Sequence, residues 1–289
     1  ITFQKSDSLF VCGTDTFFIK VQNNGSAPLN DGALKVTLPP GISYIPGSIS
    51  GASEQNISDL QQPVFSLPVL PAGAMASTGM LISANCSAAD GVDTGQLFIA
   101  SINVTSSSGN AQINTSSFIV ETGLILIESV SDVLMTGEKG DTLLRKICVK
   151  NTRLGKIGTL YFEDEHKDGI TVDIADATSQ TNDPGLYQAV FAGDFIDNFG
   201  DGDQWLEIGE TLCFTERIII TDCGIPEYNN PSTLRVGWGC GGETCRYDSA
   251  MVAIEIKKSK KVPDLVFSPV WNPPTDYCGN TPAVAGVKI

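Results

Sequence analysis

Apolar and polar residues alternate along this chain in short runs with a period of two, cut by proline, glycine and asparagine. Gly32 to Leu38 (GALKVTL) is such a run, and Thr16 to Val21 (TFFIKV) is a β-rich one. Asn23-Asn24-Gly25 marks a turn between them. Leu38-Pro39-Pro40-Gly41 stops the second run, because proline cannot donate into a ladder, and Ile42 to Ile45 opens a third. Carried onward, the pattern predicts strands near 15–23, 32–38, 42–46, 63–67, 74–85, 94–105 and 111–121. A second set falls near 123–129, 141–151, 156–163, 169–174, 186–191, 210–221, 232–239 and 247–256. No amphipathic helical stretch exceeds a turn or two. Strands so spaced and punctuated predict an all-β chain of Ig-like sandwich modules.

Internal repetition sets the boundaries. Leu70-Pro71-Ala72-Gly73, continuing to Asn85-Cys86, lies over Leu206-Glu207-Ile208-Gly209, continuing to Asp222-Cys223. The two Gly-to-Cys spacings differ by one residue, which a β-bulge absorbs. Asp15-Thr16 and its following Asn23 likewise match Asp141-Thr142 and its following Asn151. Tyr277-Cys278-Gly279-Asn280-Thr281 echoes Val11-Cys12-Gly13-Thr14-Asp15. The organisation predicted is therefore tandem: module one over 1–122, module two over 123–258, and over 259–289 a hinge with the first strands of a third. Short linkers between such modules make semi-rigid rods.

The stretch from Asp15 to Ser48 resembles the conserved-repeat β-sandwich family of very large bacterial surface proteins. The family pattern is a Gly-Asp-Thr start, an aromatic or aliphatic strand, an Asn-x-Gly turn, then Leu-Pro-x-Gly and an aromatic. Asp15-Thr16, the Asn23-Asn24-Gly25 turn, Leu38-Pro39-Pro40-Gly41 and Tyr44 fit it, while Thr14 replaces the opening glycine. The resemblance covers module one well and module two more loosely. It implies the repeat region of a giant adhesin in gliding Bacteroidota, exported by their dedicated secretion route.

Composition narrows the partners. The 289 residues carry a formal net charge of −15, which disfavours nucleic acid and anionic membrane, since both select clustered Lys and Arg. The basic run Lys257 to Lys261 reads as a soluble linker, with docking on acidic polysaccharide as the sharper alternative. No apolar run approaches the ~18 residues that span a bilayer. The first residue is Ile1, so the chain reads as a processed or truncated piece of something longer. Eight cysteines with no CxxC pair and one histidine support disulfides in an oxidising exterior over zinc. Cys12 and Cys86, alone in module one, are expected to pair. Cys148 and Cys213 sit in strands expected to be neighbours. Cys240 and Cys245 are expected to close a hairpin tip, with Cys223 competing for either, and Cys278 to pair in module three.

Candidate chemistry is sparse. His166 lies in the acidic stretch Glu163 to Asp168 and reads as solvated, which leaves Ser-His-Asp and Cys-His arrangements without support. Gly47-Ser48-Ile49-Ser50-Gly51 has Ile49 where a nucleophile elbow needs serine. Acidic residues are plentiful, but none stands out as a glycosidase pair. The loop from Asp194 to Asp203 offers Asp194, Asp197, Asn198, Asp201 and Asp203, with Glu207 and Glu210 following, as oxygens for calcium. It equally suits a solvated turn, and the EF-hand spacing is not met. Asn24, Asn56, Asn85, Asn103 and Asn114 begin N-x-S/T triplets. The resemblance implies another sugar code, Ser or Thr after Asp, which Ser8, Thr142 and Ser249 fit. Trp205 and Trp238 read as core or hairpin residues before sugar platforms, and Trp271 sits in a proline-rich turn.

The expectation is a non-enzymatic, disulfide-braced spacer at the cell surface. Its partners would be neighbouring modules of the same chain, surface polysaccharide or sibling subunits. Two alternatives stand beside it. One is a filament subunit that assembles by strand complementation, offering a free N-terminal strand over Ile1 to Lys5. The other is an accessory module of a secreted hydrolase.

Overall fold

The period-two pattern becomes two ten-strand sandwiches in the computed structural model, which describes residues 2–5, 9–89, 96–107, 112–166, 169–193, 196, 203–221 and 229–257. The first comprises β1 (Thr2–Lys5), β2 (Leu9–Phe10), β3 (Thr14–Gln22), β4 (Ala33–Thr37) and β5 (Ile42–Tyr44). It continues with β6 (Ser53–Asn56), β7 (Val64–Ser66), β8 (Met75–Ala84), β9 (Gln96–Thr105) and β10 (Gln112–Glu121). The second begins with β11 (Ile125–Val130), β12 (Leu134–Glu138), β13 (Thr142–Asn151), β14 (Thr159–Glu165) and β15 (Ile170–Asp173). It ends with β16 (Ser179–Asp183), β17 (Leu186–Ala192), β18 (Thr211–Ile220), β19 (Asn229–Cys240) and β20 (Glu243–Lys257). A single 3₁₀ turn, Cys86–Ala89, is described between β8 and β9. The proposed third module, 259–289, lies outside the described residues.

Both modules have one topology. The first pairs its strands as β1-β3-β8-β5 and β2-β10-β9-β4-β7-β6, and the second repeats both orders with every number raised by ten. In each, the leading strand starts in the small sheet and then crosses to pair parallel with the last strand of the large sheet. Thr2 to Lys5 is therefore not the free strand expected: it pairs antiparallel with Lys20 to Phe17.

Alternation decides which face is dry. Phe17, Ile19 and Val21 of β3 meet Leu34 and Val36 of β4 across the first core, with Tyr44 edge-on to Phe65 at 5.1 Å. Ile147, Val149, Leu160, Phe162, Phe191 and Phe214 do the same in the second. Each such side chain contributes about 1.5–3 kcal/mol on burial. The strands with no apolar phase, β6 (SEQN) and β16 (SQTND), expose every side chain and form sheet edges. Short, polar edges of this kind resist pairing with other chains.

The repeated Asn and Gly positions share a structural cause. Asn151 Nδ2 donates to the carbonyls of Gly155 (2.8 Å) and Leu206 (2.9 Å). Its Oδ1 accepts from the backbone of Leu124 (3.2 Å) and Arg153 (3.1 Å). Asn23 repeats the arrangement with Ala27 and Leu70, both at 2.8 Å, and with Gly25 at 3.0 Å. In each module the glycine after the leucine returns its N–H to the asparagine carbonyl, Gly73 to Asn23 and Gly209 to Asn151. Both glycines have positive φ, +77° and +86°, which explains their presence in the repeat. One asparagine thus latches the loop before β8 or β18 onto the end of β3 or β13.

Asn151 is wholly buried and Asn23 is half-buried. Asn151→Ala strands several buried backbone groups at ~1–3 kcal/mol each, so it is expected to cost ~3 kcal/mol or more in urea denaturation. Asn23→Ala is expected to cost less, because water replaces its exposed partners. Equal losses would contradict this account.

Candidate functional site, a cysteine-stapled junction

The connection between modules is three residues, Thr122 to Leu124, and it is packed instead of hinged: Thr122 and Gly123 are both buried. Gly155 donates its N–H to the Thr122 carbonyl (3.1 Å), and Thr152 donates to that of Leu124 (2.9 Å). A β-carbon on Gly155 would stand 2.3 Å from the Thr122 carbonyl carbon, so only glycine lets the two segments touch. Beside this seam, Phe10 of module one stacks edge-on against Trp205 of module two, with centroids 5.0 Å apart. Gly158 clears the space that the Trp205 ring fills. Trp205 is therefore an inter-module contact, whereas Trp238 is a core residue of β19. Trp271 lies outside the described residues.

The cysteines staple the same junction. Cys12 bonds Cys240 and Cys86 bonds Cys245, with Cα separations of 5.3 and 4.8 Å. The expected pairs Cys12–Cys86 and Cys240–Cys245 are corrected by this crossing. The β19–β20 hairpin tip reaches over the 3₁₀ turn at Cys86 and the tight turn at Cys12, whose φ is +67°. Each bridge therefore joins one module to the other. Cys148 and Cys213 are direct register partners on β13 and β18 and are bonded, bracing one sheet instead of joining two. Cys223 and Cys278 lie outside the described residues. Closing a loop of 228 residues, the Cys12–Cys240 bridge contributes about 5 kcal/mol in the chain-entropy account.

Next to the hairpin tip, Tyr161, Glu163, Arg235, Gly237, Thr244 and Tyr247 line an open groove of about 370 Å³. The Gly242 N–H donates to the Tyr161 hydroxyl at 3.2 Å, which fastens the stapled hairpin to the groove wall. Arg235 is held by Glu165 at 3.1 Å and Glu163 at 3.7 Å.

A second polar feature lies inside module two. Arg145 and Glu216 face each other across β13 and β18, fully buried, with Nη1 3.0 Å from Oε2. Asp164 enters from the opposite sheet, and His166 follows it with Nδ1 3.8 Å from the Asp164 Oδ1. His166 is thus buried, not solvated as its acidic neighbours suggest, and its Nδ1 also lies 3.2 Å from the Asp164 carbonyl. Burial holds the Glu216 carboxyl well above its ordinary range, and the Asp164 charge adds to this against the opposing pull of Arg145. The sequence carried a signal for this cluster. Arg145 shares the inward phase of Ile147 and Val149, and Glu216 that of Phe214 and Ile218.

Of the expected calcium ligands, Asp194, Asp197 and Asp201 lie outside the described residues. Asp203 accepts from the Trp205 N–H at 2.9 Å, and its other oxygen is 3.7 Å from Lys156. Glu207 also pairs with Lys156, while Glu210 accepts from the Glu207 N–H at 2.7 Å. Asp203 and Glu210 thus already serve as turn caps. Thr142 and Ser249 are exposed on β13 and β20, and Ser8 lies outside the described residues.

No known family matches this chain, and no curated protein does. Among solved structures, BspA_C_WT is similar at 11% identity and a TM-score of 0.41, covering 87% of this chain and 96% of that one. At that identity and score it transfers no function.

Proteolysis without reductant is expected to yield peptides joining Cys12 to Cys240 and Cys86 to Cys245. Linked Cys12–Cys86 and Cys240–Cys245 peptides in their place would refute the crossing. Folded Glu216 keeps a proton that the unfolded chain releases near the ordinary carboxylate pKa. Its stabilising contribution is full below that value and is lost as pH rises toward the raised one. Glu216→Gln is expected to flatten this decline in urea midpoints between pH 4 and 8; an unchanged slope would show another group at work.

Proposed function

We propose that this chain is a load-bearing segment of a large extracellular surface protein, an adhesin stalk whose modules hold a fixed mutual geometry. What supports the reading most is the Cys12–Cys240 bridge. Tension entering before residue 12 and leaving after residue 257 passes through that bond and down β20, so residues 13–239 fall outside the covalent load path. Enzymatic turnover has no part in this proposal. Partly exposed disulfides suit an oxidising exterior, which the surface location requires. The strand-complementation alternative loses its free N-terminal strand to β3 and meets polar edges at β6 and β16.

Single-molecule pulling from tags on both ends tests the proposal. The oxidised chain is expected to show no extension from residues 13–239. Full reduction is expected to release the 228-residue separation, adding about 750–820 Å of contour at ~3.3–3.6 Å per residue. Equal extension in both states would sink the load-path reading.

A further inference from the structure

Two disulfides that cross one junction leave four sulfurs in a single cluster. Besides the two bonds, Cys86 Sγ stands 3.8 Å from Cys240 Sγ, and Cys240 Sγ stands 3.9 Å from Cys245 Sγ. The ligand atoms of Cys12, Cys240 and Cys245 all lie within 4.8 Å of one another. A tetrahedral ion with metal–sulfur bonds of about 2.3 Å sets its sulfurs about 3.8 Å apart along each edge. Two edges of such a tetrahedron therefore already exist, and opening the two bonded pairs to the same separation supplies two more. All four residues are half-buried, so both a reductant and an ion reach them. Cys240 and Cys245 are separated by four residues, within the spacing that structural zinc sites use. Two ligands come from each module, and the Thr122–Leu124 seam and the Phe10–Trp205 contact hold the modules together without the bridges.

We infer that, once reduced, Cys12, Cys86, Cys240 and Cys245 form a tetrathiolate site for one thiophilic divalent ion of the zinc class. The reductant is a dithiol. Each of two dithiol molecules delivers two electrons and two protons to one disulfide and is itself oxidised to a disulfide, leaving four protein thiols. Coordination then forms four metal–sulfur bonds and releases the thiol protons to solvent, so affinity rises with pH. The junction keeps a four-point staple in either redox state: covalent when oxidised, coordinate when reduced. This inference is independent of the load-bearing role, since the site can exist in a chain that carries no force.

The test uses the full chain carrying Cys223→Ser and Cys278→Ser, reduced, freed of reductant and kept without oxygen. Cobalt(II) is the probe, because a four-thiolate environment gives it a distinct visible spectrum. The expected result is one cobalt per chain with that spectrum, bleached by an equal amount of zinc(II). Cys86→Ser is expected to abolish the four-thiolate bands. If that variant fails to fold, alkylation of the parent chain decides. With zinc bound, Cys12, Cys86, Cys240 and Cys245 are expected to be protected, and to react once a chelator removes the zinc. The proposal fails if the reduced chain takes up no cobalt, if Cys86→Ser keeps the full spectrum, or if zinc protects none of the four.

Discussion

The junction rests on bonds that cross the module boundary. A three-residue linker, a ring contact and two disulfides converge on one end of module one, and each removes a freedom that the others leave. The linker fixes distance, because the Thr122 carbonyl and the Gly155 N–H are bonded across it. The Phe10–Trp205 contact opposes rotation about that linker. The disulfides oppose separation on the side where the β19–β20 hairpin overhangs. Tandem sandwiches commonly meet through polar, modest interfaces that allow relative motion. Here two disulfides add covalent restraints to such an interface.

Comparison of the two modules separates what the fold requires from what one copy adds. Counting back from the latching asparagines, Arg145 occupies the position of Phe17, and Glu216 stands opposite Arg145 as Met80 stands opposite Phe17. The first core has no ionisable side chain at either position, so the topology does not demand one. Removing charges from water costs several kcal/mol each, and only close pairing returns that cost. Arg145 Nε and Nη2 make no hydrogen bond among the described residues, so the return is incomplete. Module two therefore has the costlier core of the pair.

Much of the fold was legible because burial is periodic. The strands with an alternating apolar face, such as β3, β4, β8, β13 and β18, lie within a residue or a few of their expected bounds. β6 and β16 escaped notice because every side chain on them is exposed, so nothing alternates. β2, two residues long, and β12 escaped because each takes its place from a parallel partner far along the chain. Cys148–Cys213 pairs as expected, and the other two expected bridges failed for a topological reason. Assigning bridges within each module assumes that modules do not overlap, and the hairpin tip beyond Trp238 does overlap module one. His166 failed for a local one: its acidic neighbours alternate, so Asp164 faces the core and takes the histidine with it.

The segment from Glu243 to Lys257 carries the chain from the stapled hairpin tip to the end of module two. It is fifteen residues of continuous strand, flanked along its length by β19 on one side and, toward its end, by β12 on the other. A strand already rises about 3.3 Å per residue, close to the most a polypeptide reaches. Between the sulfur staple and the exit from module two the backbone therefore has almost no slack. A pull along it meets the neighbouring ladders in shear, where many hydrogen bonds share the strain at once, instead of opening them one by one like a zip.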